Sequence, residues 1–200
     1  MTHTLLLVRH AEPTDRDRCH GAHSDPGLSR LGRRQAEATA LRVRVMANEF
    51  GRVGRLLQSP ALRAAETAAP IAATLGLQPI VDDDWRERDW GDWEGGRWDD
   101  LWPTVPDEVT ADATSYLAWT PPGGEPTNAI RSRVSAALED VPRTDGVTVV
   151  VTHAGVIRLV LAEVLDLPLV TTQQFAVPYA RLAVVTLHDD DAATLTRLGA

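Results

Sequence analysis

Two short apolar runs near opposite ends of the chain, each followed by a histidine, restrict the fold more than any other feature. Residues 5–8 are consecutive apolar residues of the kind found in a strand buried on both faces, and Arg9 and His10 follow them. Residues 147–152 form a second, β-branched run that ends at His153. Ligands of open parallel sheets bind beyond the carboxyl ends of the strands. We therefore expect His10 and His153 to lie at the same edge of one sheet.

Helical and strand patterns alternate between these two runs, which is typical of the α/β class. Ser29 is a suitable N-cap for a helix that runs to about Phe50. Pro60 suits the first turn of a second helix, which we expect to be interrupted at Pro70. The other expected elements are strands at 55–59 and 79–81, a helix capped by Thr127 or Asn128, a helix from His153 to about Leu167, and a closing hairpin of strands 181–188 and 193–197 around residues 189–191.

One region departs from this alternation. All six tryptophans lie between residues 85 and 119, and segment 98–130 contains six acidic residues and no basic one. Prolines and glycines punctuate the segment. We expect a single domain, residues 1–200, with a small and mostly helical cap inserted at about 98–124. Burial of the tryptophans would hold this cap on the main body.

Composition excludes several classes of function. The 200 residues carry a net charge of −8, which argues against a nucleic-acid surface or a polybasic membrane anchor. There is no lysine, so any anion site must use arginine and histidine. A single cysteine, Cys19, fits a reducing compartment, and no apolar run approaches the length of a signal peptide core or a membrane span. We expect a cytoplasmic protein; a homodimer is compatible with the sequence but nothing requires it.

The basic residues that follow strands form a candidate anion pocket. Arg9, His10, Arg63 and His153 would meet at one sheet edge, and guanidinium groups match phosphate oxygens bidentately. The backbone N–H groups that open the helix at Ala154 would add a further anion site. Taken alone, each residue is more often a solvated or structural side chain. Together they predict a phosphate site.

At this point the sequence resembles a known family, the histidine phosphatase superfamily, whose fold is that of the phosphoglycerate mutases. Four motifs occur in the expected order, and two shorter ones accompany them. They are Arg9-His-Ala-Glu12, Ser59-Pro-Ala-Leu-Arg-Ala-Ala-Glu-Thr-Ala68, Trp85-Arg-Glu-Arg-Asp-Trp-Gly-Asp-Trp-Glu-Gly95 and Val151-Thr-His-Ala-Gly-Val-Ile-Arg158, with Pro122-Gly-Gly-Glu125 and Phe175-Ala-Val-Pro178. The resemblance covers essentially the whole chain. It implies a three-layer α/β/α fold with a mostly parallel central sheet.

The resemblance also implies roles for residues. His10 would be the nucleophile and form a phosphohistidine, and Glu87 would be the general acid and base. Arg9, Arg63, His153 and the backbone at Ala154 would bind the phosphate, without a cofactor or metal. Spacing alone leaves Glu12, Asp89 and Glu94 as rival carboxylates. A Cys-x-Gly stretch similar to that of α-ribazole phosphatase-like proteins implies a substrate-side loop formed by Arg16, Cys19, His20 and Gly21.

Two departures from the family pattern matter. Ala11 and Ala154 stand where glycine is usual, which alanine permits only at negative φ. Arg16 stands where asparagine is common, so the substrate side of the pocket is less defined than its centre.

Three alternatives remain beside a phosphatase that acts on a small-molecule phosphate ester. A cofactor-dependent mutase would need cations for a second anionic group, and the acidic cap offers only Arg97 at its edge. A non-catalytic phospholigand-binding protein would need neither nucleophile nor acid. Cys19, His20, His23 and Asp25 could ligate a metal, although a polar loop is the simpler interpretation. Because the expected cap is acidic, we expect a leaving group that is neutral, aromatic or cationic.

Overall fold

The computed structural model describes residues 2–142, 144–190 and 192–200. Its centre is a six-stranded sheet with the order β3-β2-β4-β1-β5-β6. Strands β1 to β4 run parallel, whereas β5 pairs antiparallel with β1 and with β6. The strands are β1 (Thr2–Arg9), β2 (Val53–Gln58), β3 (Ile80–Val81), β4 (Gly146–Thr152), β5 (Leu182–His188) and β6 (Ala193–Leu198).

Helices cover both faces of the sheet, so the predicted three-layer α/β/α arrangement is confirmed. The long helices are α1 (Arg30–Phe50), α2 (Leu62–Leu75), α6 (Thr127–Glu139) and α7 (Ala154–Val164). Successive side chains of a strand point to opposite faces. In β1, Leu5 and Leu7 accordingly belong to the core with α6 and α7, and Leu6 and Val8 belong to the core with α1 and α2. The central strand is thus buried on both faces, as its apolar run predicts.

The helix boundaries follow the sequence signals with four corrections, the first of which is that α2 begins at Leu62 with Ala61 as its N-cap, so Pro60 lies before the first turn rather than in it. Ser29 is the N-cap of α1, and its side chain accepts a hydrogen bond from the Gly32 amide, as predicted. Helix α2 is not interrupted at Pro70; it continues to Leu75 because packing of its buried face against the sheet outweighs the hydrogen bond that proline removes. The N-cap of α6 is Pro126, one residue before the expected range.

Helix α7 ends at Val164 rather than at about Leu167, and a 3₁₀ helix (Leu169–Gln174) follows Pro168. The closing hairpin is confirmed as the antiparallel pair β5 and β6. Of its expected turn, Asp191 lies outside the described residues.

The small helical insertion is present. It contains α3 (Trp98–Leu101), α4 (Asp107–Thr110) and α5 (Ala113–Ala118), with a 3₁₀ helix at Trp102–Thr104; two more 3₁₀ helices, Asp83–Trp85 and Gly91–Trp93, precede it. A separate apolar cluster of Cys19, Trp93 and Val105 lies beneath these elements. Trp85 belongs instead to the core beside α6 and α7. The tryptophans are therefore shared between the insertion and the main body.

Across the described residues, no helix combines the length and the apolar character that crossing a membrane would require.

Candidate active site

The parallel register of β1 and β4 brings the two histidines together. Arg9 pairs with Thr152, so the residues that follow, His10 and His153, leave the sheet side by side. Their ring centroids lie 5.1 Å apart, with the ring planes inclined by 60°. Because this spacing leaves room for one group to contact both imidazoles, the arrangement meets the geometric condition for a shared oxyanion.

His10 is held as a neutral ring with one free nitrogen. Its side chain is 6 % exposed, and its Nδ1 lies 2.8 Å from the carbonyl oxygen of Ala11. A carbonyl only accepts, so Nδ1 carries the proton and Nε2 keeps its lone pair. Burial lowers the pKa of His10 well below its ordinary value, and the guanidiniums of Arg63 and Arg9 lower the pKa further. His10 Nε2 is therefore available as a base or nucleophile.

His153 is fully buried and is oriented by a serine. Its Nε2 lies 2.7 Å from Ser59 Oγ, while its Nδ1 has no hydrogen-bond partner among the described residues. Burial first, and then Arg63, lowers the pKa of His153 well below its ordinary value. If the Ser59 hydroxyl donates to Nε2, the proton of the neutral ring resides on Nδ1, which can then donate to an anion. The sequence identifies Ser59 only as part of a motif, and the one signal for its role is the position of a hydroxyl at the end of β2, beside β4.

Two buried guanidiniums flank the imidazoles. Arg9 donates to the carbonyl of Val177 at 2.6 Å, and its guanidinium carbon lies 3.7 Å from the centre of the Tyr179 ring. Arg63 is 1 % exposed and donates to the backbone carbonyls of His20, Gly21 and Ser24. Burial lowers the pKa of both arginines. The sequence contained no signal for Tyr179, because its contact depends on how the segment before β5 returns to the site.

Most of the buried polar atoms that lack partners belong to this site. Within the described residues there are five such side-chain atoms, and three of them are Arg9 Nε, Arg63 Nε and His153 Nδ1. Buried donors in folded proteins are nearly always paired, so unpaired donors that belong to one site indicate a ligand-binding position. The two arginine Nε–H groups are donors, and His153 Nδ1 is a donor when the Ser59 hydroxyl donates to Nε2, so the ligand that they suit is an anion.

Glu87 is held against the start of helix α7. Its Oε1 accepts from the Arg88 amide at 2.9 Å, and its Oε2 accepts from the Gly155 amide at 3.3 Å. A Cβ on Gly155 would come within 2.5 Å of Glu87 Oε1, so only glycine permits this approach without displacing the carboxylate. Ala11 and Ala154 do not have positive φ angles, so alanine is tolerated at both positions as expected.

The rival carboxylates are committed to other contacts. Glu94 accepts from the amides of His23 and Ser24, and Glu12 accepts from the hydroxyl of Ser29. Asp89 pairs with His23 and with the Gly91 amide. None of the three borders the cavity described next, whereas Glu87 does.

A cavity of about 710 Å³ opens from His10 toward the helical insertion. Arg9, His10, Glu87 and Ala154 border it. Arg63 and His153 are almost fully buried and are not among the residues that line it. The far wall consists of side chains from the insertion and from the segment before it.

The expected substrate-side loop is only partly at the cavity. His20 borders it, but Arg16 is exposed and pairs with Glu12 and Asp17 on the surface. Cys19 packs in the apolar cluster with Trp93, where burial raises the pKa of its thiol to about 12. Gly21 packs closely against the backbone of Arg88. The backbone carbonyls of this loop accept hydrogen bonds from Arg63 and so hold its guanidinium. The expected loop residues other than His20 do not border the cavity. Ion pairs hold Arg16 at the surface, and close packing holds Cys19 and Gly21 away from the cavity.

The candidate metal ligands are engaged separately. His20 contacts Ser24 and the Asp15 carbonyl, and Asp25 accepts from the Leu62 amide. Within the described residues, no three His, Cys, Asp or Glu side chains are grouped so that they could hold a metal ion.

The charge of the cavity differs from what the acidic insertion suggested. Asp99, Asp100, Asp107 and Glu108 are exposed and do not border the cavity, and Asp112 is the acidic residue of the insertion that does. Three arginines outside the central group also border it, namely Arg18, Arg88 and Arg158, and none forms an ion pair with a described residue. The cavity therefore has cationic side chains that could hold a second anionic group of a substrate, contrary to the expectation from the acidic insertion.

Comparison with known proteins gives a consistent result. The family model described as "Histidine phosphatase superfamily (branch 1)" matches residues 5–199. A bifunctional protein of Mycobacterium tuberculosis is 30 % identical over 200 residues, which cover 96 % of this chain and 52 % of that protein. The chain thus spans about half the length of the first curated relatives that it matches.

Two solved structures have the same fold. The mycobacterial glucosyl-3-phosphoglycerate phosphatase superposes with a TM-score of 0.82 at 26 % identity, over 100 % of both chains. The α-ribazole phosphatase of Shigella flexneri superposes with a TM-score of 0.83 at 22 % identity, over 98 % of this chain and 96 % of that one.

Proposed function

The chain belongs to branch 1 of the histidine phosphatase superfamily, and we propose that it hydrolyses phosphate monoesters of small molecules through a phosphohistidine on His10. Its membership confirms the resemblance that the motifs indicate. The observation that carries the proposal is the pair of neutral imidazoles 5.1 Å apart with two buried guanidiniums beside them. The similar glucosyl-3-phosphoglycerate phosphatase, a phosphatase by name, supports the same reaction type.

In the first step, the lone pair of His10 Nε2 attacks phosphorus in line with the ester oxygen. The N–P bond forms as the P–O bond to the alcohol breaks. Arg9, Arg63 and Nδ1 of His153 would stabilise the charge on the other three phosphoryl oxygens, supported by their unpaired donor atoms. The N-terminus of α7 at Ala154 would place the partial positive charge of the helix dipole beside the same oxygens.

Glu87 would transfer the protons of both steps. In its protonated form it gives a proton to the departing alcohol oxygen, and as a carboxylate it then takes a proton from water. That water attacks phosphorus, the N–P bond breaks, and inorganic phosphate leaves with His10 neutral again. The support for Glu87 over Glu12, Asp89 and Glu94 is that it alone of the four borders the cavity. No step of this scheme requires a metal ion.

The test is hydrolysis of p-nitrophenyl phosphate by the whole chain, with EDTA present. We expect turnover in the wild type, and a loss of at least about 10³-fold in His10→Ala, because a single missing member of a covalent machinery removes most of its rate enhancement. His188→Ala is the matched control, since His188 lies at the end of β5 and contacts Thr194. Equal rates in His10→Ala and His188→Ala, or a rate abolished by EDTA, would contradict the proposal.

A mutase is the second candidate, because Arg18, Arg88 and Arg158 could hold a second anionic group. Incubation with 3-phosphoglycerate and bisphosphoglycerate separates the two activities. We expect release of phosphate to exceed isomerisation; the reverse would establish the mutase. A folded protein that binds phosphate and releases none from any ester between pH 4 and 8 would instead be a phospholigand-binding protein.

A further inference from the structure

The cavity beside the histidine pair ends in a wall of aromatic rings. Trp90, Trp98, Trp102 and Tyr116 all border the same cavity as His10 and Glu87. The clustering of the tryptophans in the sequence favours a structural role for them, as the core of the insertion. That role holds for Trp93, which is 5 % exposed and packs with Cys19 and Val105.

The wall is not simply part of that core. Trp102 is 42 % exposed although it is the largest type of apolar side chain, and Trp90 and Trp98 are half-buried. An apolar ring left in contact with water costs free energy that a ligand ring would recover. The exposed rings therefore lie where a ligand in the cavity would contact them.

Contacts among the rings order the wall. Trp98 and Trp102 stack at 5.7 Å with their planes 22° apart, and Trp90 meets the edge of Trp98 at 5.4 Å. Trp102 also contacts Tyr116 at 5.9 Å. Since each ring is held by a neighbour, a ligand ring could stack on the wall with little loss of side-chain freedom.

The size of the cavity exceeds the needs of a small polar ester. A volume of about 710 Å³ is in the range of sites that enclose drug-sized ligands. A phosphoryl group on His10 and a short alcohol such as that of phosphoserine would leave the aromatic wall in contact with water. An alcohol that carries a fused ring would cover it.

We propose that the substrates of this site are phosphate monoesters whose alcohol carries a flat aromatic ring, and that Trp98 and Trp102 bind that ring. This inference rests on the proposed phosphatase activity for the word substrate, but the ring site itself can be tested by binding alone. The arginines at the cavity are compatible with an aromatic ligand, because guanidinium groups also stack on aromatic faces. Arg88 stacks in this way on Trp90, at 4.9 Å from the ring centre.

The experiment compares three phosphonates, which cannot be hydrolysed, by calorimetry on the whole chain. They are 1-naphthylmethylphosphonate, its saturated analogue decalinylmethylphosphonate, and ethylphosphonate. We expect the naphthyl compound to bind about tenfold more tightly than ethylphosphonate, and more tightly than the decalinyl compound, since stacking adds to burial. Equal affinity for the naphthyl and decalinyl compounds would overturn the aromatic assignment.

Paired variants locate the effect. Trp102→Leu should reduce the naphthyl advantage by about threefold to tenfold and leave ethylphosphonate binding unchanged. Trp119→Leu is the matched control. Trp119 packs against the apolar cluster of Cys19, Trp93 and Val105, with its ring 5.0 Å from that of Trp93, but it does not border the cavity. If the advantage survives both Trp98→Leu and Trp102→Leu, the wall is not the ring site.

Turnover separates this inference from the proposed function. We expect a higher kcat/KM for 2-naphthylmethyl phosphate than for ethyl phosphate, two esters of alkyl alcohols, with a smaller ratio in Trp102→Leu. Hydrolysis of both esters at equal efficiency would overturn the ring site and leave the phosphatase intact. Tight binding of the naphthyl phosphonate without hydrolysis of any ester would retain the ring site and reject the phosphatase.

Discussion

At the scale of single residues, burial decides the protonation of the two imidazoles. His10 and His153 are 6 % and 0 % exposed, and both rings lie near Arg9 and Arg63. An imidazolium at either position would be both desolvated and repelled, so each ring stays neutral. Neutrality is what a nucleophilic nitrogen requires, and the surrounding protein imposes it without a separate general base for His10.

The same neutrality makes stability depend on pH. In the unfolded chain both rings take up protons near pH 6.5, whereas in the folded chain their pKa values lie well below this. Below about pH 6.5 the unfolded state therefore binds more protons, so the free energy of unfolding falls as pH falls and is constant above that value. The limiting slope is about 2.7 kcal/mol per pH unit for two rings.

Urea denaturation at pH 7.5, 6.5 and 5.5 measures this slope. His10→Gln removes one of the two most strongly shifted groups and should reduce the slope by roughly a third to a half, since burial also lowers the pKa of His20. His188→Gln, at the end of β5, should leave the slope unchanged. A free energy of unfolding that is constant or rises from pH 6.5 to 5.5 would show that the rings are not held neutral.

The substitution Gly155→Ala tests the role of Glu87 as proton donor without changing Glu87 itself. Because a Cβ at this position would come within 2.5 Å of Glu87 Oε1, Gly155→Ala should push the carboxylate from its place. We expect kcat/KM for an alkyl phosphate to fall by about tenfold or more, and that for p-nitrophenyl phosphate to change little, since p-nitrophenolate leaves without a proton.

Gly54→Ala is the control for this substitution, because a Cβ there meets nothing within 4 Å. An equal fall for both esters in Gly155→Ala would contradict the expected dependence on the leaving group, and with it the support that this substitution gives to Glu87 as the proton donor.

At the scale of the elements, strand register and helix ends assemble the site. The β1–β4 register places His10 beside His153, and the end of β2 at Gln58 places Ser59 against His153. Helix α1 begins at the same edge of the sheet. Its N-cap, Ser29, accepts from the Gly32 amide and donates to Glu12 at 2.8 Å, which ties the loop after His10 to the helix.

Ser29→Ala should cost about 1 kcal/mol of the free energy of unfolding, because it leaves an amide of the first turn without its acceptor. Urea denaturation measures this loss. Ser132→Ala is the control: Ser132 lies on exposed surface within α6 and returns its hydroxyl to the Asn128 carbonyl, an arrangement that contributes little to helix stability. Equal stability of the two variants would show that Ser29 does not cap α1 in solution.

At the scale of the whole molecule, the parts that could be predicted from sequence are those with local signals. Apolar runs located the central strands, and the cap at Ser29 located helix α1. The meeting of His10 and His153 followed from both strands being parallel and buried. Pro70 was misleading, because a local rule for proline does not include the packing of Ala64, Ala68 and Ile71 on the sheet.

Contacts between distant loops could not be predicted. The stacking of Tyr179 on Arg9 and the carbonyls that hold Arg63 join segments far apart in the chain. The direction of the acidic side chains of the insertion depends on how its helices pack, so their number did not determine the charge of the cavity. The aromatic wall likewise appears only when the insertion is placed beside the histidine pair.

Trapping the phosphoryl group shows whether His10 carries it during turnover. In Glu87→Gln, p-nitrophenyl phosphate should still phosphorylate the chain, because its leaving group needs no proton, whereas hydrolysis lacks its base. Quenching in alkali, followed by tandem mass spectrometry, should place one phosphoryl group on His10 and none in the His10→Ala double variant. A phosphoryl group on another residue, or wild-type turnover with no phosphorylated intermediate at any time, would contradict the account.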